Sequence, residues 1–337
     1  MLKTRLCELL GLEVPIILAP MGTCTSAELA AAVSNEGGLG GIGSLFRPTA
    51  TVKRDIDVVK TLTNRPFAIN HIPQALDAEV FRYTLEARPR VISFTLGDPG
   101  DLVRQAHAAG AQVMLQITTV AQAVQAAERG VDVIIAQGGE SGGYCGEVST
   151  MALVPQVVDA VSPIPVVASG GIFDGRGIAA ALMLGAAGVN LGTRFIASKE
   201  APGSEEWKQA IIHANSEDSI KVEVLNDISP VPGAVGFGTV LRSLRTPFLD
   251  EWSGKREEAR RDRDRLRGEI LATHQAGRPH ETLLTAGQTV GGIKEILPVT
   301  EIMRRLVVET EAALSRTEEF RGERQHGAPR IGMRTGE

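Results

Sequence analysis

Aromatic side chains are scarce in this 337-residue chain: Phe, Trp and Tyr together make up 4% of it. An interior of that composition is built from Ala, Val, Ile and Leu, the residues of strands buried on both faces and of the helices that cover them. Cysteine is scarcer still. Cys7, Cys24 and Cys145 form no CxxC spacing, which excludes a disulfide framework and a cysteine metal signature. Neither sign of charge dominates: 35 Lys and Arg stand against 40 Asp and Glu, for a net charge of −5. That balance offers no basic face to nucleic acid or anionic lipid. No apolar run is long enough to span a bilayer, and no small-residue cleavage site follows the opening residues. A soluble, cytoplasmic protein is expected, with no nucleic-acid or membrane partner; a homo-oligomer is compatible with the sequence. Also missing is a GxGxxG turn after the first strand, which a dinucleotide-binding doubly wound sheet would need.

What is present is alternation. Apolar runs at 14–19, 39–44, 67–71, 91–96, 112–117, 132–136, 165–168 and 188–191 are separated by segments of helical pattern. The strand-like runs show no polar alternation (VDVIIAQ, PVVAS), as expected of strands covered on both sides. Eight such units predict a (β/α)8 TIM barrel, with chemistry at the carboxyl ends of its strands. After residue 198 the rhythm breaks. Residues 199–290 read as a mostly helical inserted second domain that caps the barrel mouth, with one β-like stretch, KVEVL, and a Pro-rich SPVPG turn. Residues 291–315 hold a helix at 299–314 that returns to the barrel, and 316–337 form a charged tail. The Arg-rich run 255–267 has acids interspersed at helical spacing, which predicts a solvated, salt-bridged helix face.

The loops after the strands supply the candidate site. PVVASGGIFDGRGIAAALMLGAAGVNLGTRF (165–195) places Gly170-Gly171 and Gly192-Thr193 after the last two strands, where barrels commonly cradle a phosphate. Glycines there let backbone N–H groups approach an anion closely. Pro20-Met21-Gly22 follows the first strand, Asn70-His71 ends the third, Gln116 the fifth, and Gln137 opens the loop GGESGGYCG after the sixth. Amides at successive strand ends can meet the carbonyls and N–H groups of a planar heterocycle edge-on. A flat ring with a phosphate tail suggests FMN.

APMGTCTSAELAAAVSNEGGLGGIGS, AQGGESGGYCGEV, the 165–195 stretch and AGQTVGG, in this order along nearly the whole chain, together resemble the nitronate monooxygenase family, also called 2-nitropropane dioxygenase-like flavoproteins. The resemblance implies an FMN-bearing barrel with a helical second domain. It sets Pro20-Met21-Gly22 against the flavin ring and Asn70 and Gln116 at ring polar atoms. Gln137 and Gly142-Gly143 then wall the site, and Gly170-Gly171 and Gly192-Thr193 hold the phosphate. The family often has Lys where Gln116 stands, so a cation that would stabilise reduced flavin is missing here. It also carries a catalytic His in a GGH motif, and this chain has GGY: Tyr144 stands at that position.

An imidazole titrates near pH 6.5 and can take a nitroalkane proton at neutral pH; a phenol, near 10, is protonated there and suits proton donation. The sequence therefore predicts that neutral nitroalkanes are not deprotonated, while a preformed nitronate still reacts. His71 is the substitute base to consider, against a structural role beside Pro73; Glu140 and Cys145 follow it. Three readings stay open: oxidation of a nitronate through FMN with O2; an NAD(P)H-dependent flavin reductase of a quinone or enoyl thioester; and a flavin-free isomerase or lyase acting on a phosphorylated metabolite. The last lacks a strand-end Lys for a Schiff base and a carboxylate pair for enolisation or metal binding.

Overall fold

The computed structural model describes residues 2–231 and 237–316. The outer part of the tail assigned to 316–337, and positions 232–236 within the SPVPG segment and the residues after it, lie outside them.

Eight parallel strands form the barrel: β1 (Ile16–Leu18), β2 (Gly40–Gly43), β3 (Phe67–His71), β4 (Val91–Phe94), β5 (Gln112–Ile117) and β6 (Val133–Gln137) come first in the chain. A short strand β7 (Gly143–Cys145) then leaves the barrel, which β8 (Val166–Ser169) and β9 (Gly188–Leu191) complete. Their order is β1-β9-β8-β6-β5-β4-β3-β2. The ends of that order meet through the bridge Ile17–Leu39, with Leu18 N–H donating to the Leu39 carbonyl and Leu39 N–H to that of Ile16, each at 2.9 Å. The expected (β/α)8 TIM barrel is therefore the observed fold.

Side chains alternate across each strand, and the alternation sorts the core. Ile17, Leu39, Ala68, Val91, Met114, Val133, Ile135 and Val167 fill the barrel interior, together with Leu6 and Leu10 of the N-terminal helix Arg5–Leu10. Their neighbours Ile16, Leu18, Ile69, Ile92, Val113, Leu115, Ile134 and Ala168 face outward into the helical layer. The terminal helix Val299–Ser315 joins that layer against the helix Gly175–Met183. Glu200 accepts from Val299 N–H at its start, and Glu309 accepts from Gly175 N–H, so the two contacts pin it to the barrel.

Between residues 199 and 290 the expected helices are present, among them Glu205–His213, Pro247–Trp252, Arg256–Arg261 and Arg263–Gln275. The sequence reading had no counterpart for the antiparallel sheet beside them: β10 (Ser219–Lys221), β11 (Val240–Leu244) and β12 (Leu284–Thr285), with β11 also pairing β7 of the barrel loop. Only Lys221 of KVEVL is in a strand, and Val224–Ile228 is helical. β11 is buried on both faces but carries Arg242 and Ser243, which hide it from a hydrophobic pattern. The Arg-rich helices carry ion pairs: Arg256 with Glu223 and Asp227, Arg260 with Asp227 and Glu257, Arg265 with Asp262 and Glu269.

Candidate active site

The inward alternation continues to the carboxyl ends of the strands, where it turns polar. Asn70 follows Ala68, Gln116 follows Met114, Gln137 follows Ile135 and Ser169 follows Val167, each two residues on and on the same face. These side chains bond to one another across the ring. Asn70 Nδ2 donates to Ser93 Oγ at 3.2 Å, Gln116 Nε2 to Gln137 Oε1 at 3.0 Å, and Asn190 Nδ2 to Ser169 Oγ at 3.1 Å. The Asn190 Oδ1 oxygen is buried and has no partner among the described residues.

Above this ring opens a cavity of about 740 Å³ between barrel and cap. It is lined by Pro20, Met21, Gly22, Asn70, Gln116, Gln137, Gly142, Gly143, Tyr144, Gly170, Gly171, Gly192 and Thr193. The candidates from all six loops are thus brought together. The glycines have physical reasons: Gly22, Gly143, Gly170 and Gly171 hold φ of +52°, +75°, +98° and +72°, a left-handed region that side chains rarely adopt.

His71 is the exception and a correction. One residue after Asn70, it points the opposite way, out of the barrel into the helical layer. It is 1% exposed, edge-on to Phe81, with Nε2 3.1 Å from Thr84 Oγ1. Burial lowers its pKa to about 4. It does not line the cavity, and it is a neutral core histidine rather than a base.

Glu140 lines the cavity, but its carboxylate accepts from Thr150 N–H at 2.9 Å and from Thr150 Oγ1 at 3.0 Å, at the start of the helix Thr150–Val161. Cys145 faces the Gly139 and Val240 carbonyls, and burial raises its pKa despite Lys221 and Arg242 nearby. Both hold the loop in shape. Arg242 does the same, donating from Nε and Nη2 to the Gly139 carbonyl at 3.1 and 2.9 Å.

Tyr144 sits in the cavity wall with Ile72, Leu96 and Leu241. Burial is the cause that raises its pKa, and among the described residues its hydroxyl has no hydrogen-bond partner. The phenol is therefore protonated over the whole neutral range.

Sequence reasoning missed part of the lining. Ser169 and Asn190 were recoverable by counting two residues along their strands. Cys24 lines the cavity too, and burial pushes its pKa up to about 12. Trp207, Ile270, Leu271 and His274 come from the cap, where no pattern marked them, and Arg267, expected on a solvated, salt-bridged face, lines the cavity without an ion pair among the described residues. The AGQTVGG loop is placed by close approach: Gly287 N–H donates to Thr193 Oγ1 at 3.0 Å, and a Cβ on Gly287 would lie 2.8 Å from the Glu140 carbonyl oxygen.

Residues 3–309 match the family described as nitronate monooxygenase. The chain is 33% identical to a probable nitronate monooxygenase of Staphylococcus aureus over 298 residues, covering 74% of this chain and 81% of that one. It is 40% identical over 220 residues to the (3aS,4S,5R,7aS)-5-hydroxy-7a-methyl-1-oxo-octahydro-1H-indene-4-carboxyl-CoA dehydrogenase of Rhodococcus jostii, covering 65% of this chain and spanning 62% of that enzyme's length. The structure of FabK from Thermotoga maritima superposes with a TM-score of 0.86 at 32% identity, covering 95% of this chain and all of that one. A match over nearly the full chain, joined to a barrel-end cavity lined by the motifs that carry the resemblance, makes this protein an oxidoreductase of the nitronate monooxygenase family.

Proposed function

We propose that the protein is an FMN-dependent oxidoreductase that oxidises alkyl nitronates with O2, and that Tyr144 serves it as a hydrogen-bond and proton donor. The observation that carries this reading is the Tyr144 hydroxyl, buried and without a hydrogen-bond partner among the described residues, in the wall of a cavity floored by strand-end amides.

The residues fit FMN. Gly170 and Gly171, in left-handed conformations, and Gly192 with Thr193 offer backbone N–H groups and a hydroxyl to a phosphate. The unpartnered Asn190 Oδ1 suits a ribityl hydroxyl, and the Gln116–Gln137 pair with Asn70 suits the ring edge. Pro20, Met21 and Gly22 would lie along the ring. FMN, when bound, supplies the acceptor for a pair of electrons from the substrate carbon. The protein supplies orientation through the amides, exclusion of water through the cap, and a proton held at Tyr144 Oη. Gln116 brings no charge, so neutral donors rather than a cation would meet the ring's polar atoms.

A second reading is favoured by the apolar wall that barrel loops and cap build together. Ile72, Leu96, Leu225, Leu241, Ile270 and Leu283 make the upper cavity apolar, and its volume lies in the upper part of the roughly 300–1,000 Å³ range of small-molecule sites. FMN would take up much of that space, so it is the apolar wall rather than the volume that favours a bulkier, less polar substrate. NAD(P)H-dependent reduction of a bulkier enoyl thioester or quinone, with Tyr144 giving the proton, suits it.

Oxygen consumption with ethyl nitronate and with neutral nitroethane at pH 7 tests the role of Tyr144. A general base contributes about 10²–10⁴-fold, so kcat/KM is expected to be at least about a hundredfold higher for the nitronate. Tyr144→His is expected to raise the nitroethane rate selectively. Equal rates on both forms in the native protein would refute the assignment.

A further inference from the structure

The cap helix Arg263–Gln275 puts Arg267, Ile270, Leu271 and His274 on one face, at spacings of three and four residues, and all four line the cavity. Arg267 is the sole Lys or Arg in that lining. Its neighbours Arg263 and Arg265 pair with Asp264 and with Asp262 and Glu269, whereas Arg267 has no ion pair or hydrogen bond among the described residues. Beside it the mouth is apolar and open. Leu271 is 50% exposed, and Phe46, on the loop after β2, is 65% exposed with a φ of +58°. A bulky residue in that conformation is rare, and here it leaves an aromatic ring at the rim of a binding cavity.

The phosphate-binding candidates and the guanidinium that line the cavity come from different parts of the chain. The glycine loops of the barrel offer neutral backbone donors; the guanidinium belongs to the cap. We propose that Arg267 binds a phosphate or carboxylate of the second ligand, the compound that meets the flavin, while the apolar body of that ligand lies over Ile270, Leu271 and Phe46. This rests on the second reading above, the NAD(P)H-dependent reductase, and narrows it: the ligand class is an amphipathic anion larger than an alkyl nitronate. The anion has two sources of the same chemistry, a phosphorylated acyl-thioester carrier or the phosphates of a nicotinamide dinucleotide. A planar, five-donor guanidinium suits either.

Isothermal titration calorimetry at low salt tests it, with octanoyl-CoA, NADPH, NADH and the uncharged octanamide as probes against native protein, Arg267→Gln and Arg267→Lys. Arg267 is exposed, so the variants are expected to fold as the native chain does. The expected result is an affinity about tenfold lower in Arg267→Gln for octanoyl-CoA or NADPH, fading with added salt, largely regained in Arg267→Lys, and unchanged for octanamide. A loss for octanoyl-CoA alone identifies the carrier; a loss for NADPH but not NADH identifies the nucleotide's extra phosphate. Equal anion affinities in native and Gln proteins, or no anion binding to the native protein, would overturn the proposal. FMN titrated separately into each protein reports on the flavin reading alone, because failure to take up FMN leaves the calorimetric comparison intact.

Discussion

Burial decides the protonation of Tyr144, read as a donor, and of His71, considered as a base. Tyr144 is raised by it, so its proton stays in place up to and beyond pH 10 and contributes no pH dependence to folding in the neutral range. His71 is lowered by it from 6.5 to about 4. The folded state therefore favours neutral His71, a stabilisation fully present above pH 6.5 and lost as the pH falls from there toward 4. The shift corresponds to on the order of 3 kcal/mol. Urea unfolding at pH 7 and pH 4.5 checks this: native protein is expected to lose more stability between the two than His71→Gln, by about 2–3 kcal/mol, with turnover retained in the variant. Identical pH dependence would remove His71 from the account. The candidates Asn70 and His71 were equally visible in the sequence. Which of them faces the cavity is set by strand parity, and parity is readable only once an inward neighbour such as Ala68 has been fixed by three-dimensional packing.

At the scale of elements, the site depends on two glycine-bearing loops pressed together. The loop 138–147 is held by Arg242, by the β7–β11 pairing and by Glu140 on Thr150; the loop 286–292 docks on it through Gln288 N–H to the Glu140 carbonyl at 2.9 Å. A Cβ on Gly142 would come within 2.7 Å of the Ala286 carbonyl carbon, and one on Gly287 within 2.8 Å of Gly142 N. Backbone stands on both sides, so neither can yield cheaply. Gly287→Ala is expected to cost about 1–3 kcal/mol and to weaken FMN binding, read by thermal unfolding and by flavin fluorescence titration; a variant with native melting and FMN affinity would show that the loops are free to separate. The AGQTVGG motif was legible as a resemblance, but its partner was not. The strands β7 and β11 that tie cap to barrel carry Gly143, Arg242 and Ser243, so they lack the near-continuous apolar runs that announced the barrel strands.

For the molecule as a whole, the eight barrel strands were legible because burial on both faces leaves near-continuous apolar runs, as in VVAS of β8 and VIIAQ of β6. The helical character of the cap was legible too, while its sheet and the side chains it lends to the cavity were not, since cap residues reach the site through tertiary placement rather than through a motif. The cavity between these two parts is where a flavin would sit, with electrons entering from the substrate side under the cap. The most direct measurement is the visible spectrum of the purified protein incubated with FMN and freed of excess, followed anaerobically with ethyl nitronate and with NADPH in separate cuvettes. The expected result is a retained flavin band that bleaches with the nitronate. Bleaching only with NADPH would move the protein to the reductase reading, and no retained flavin band would contradict the FMN-dependent account altogether.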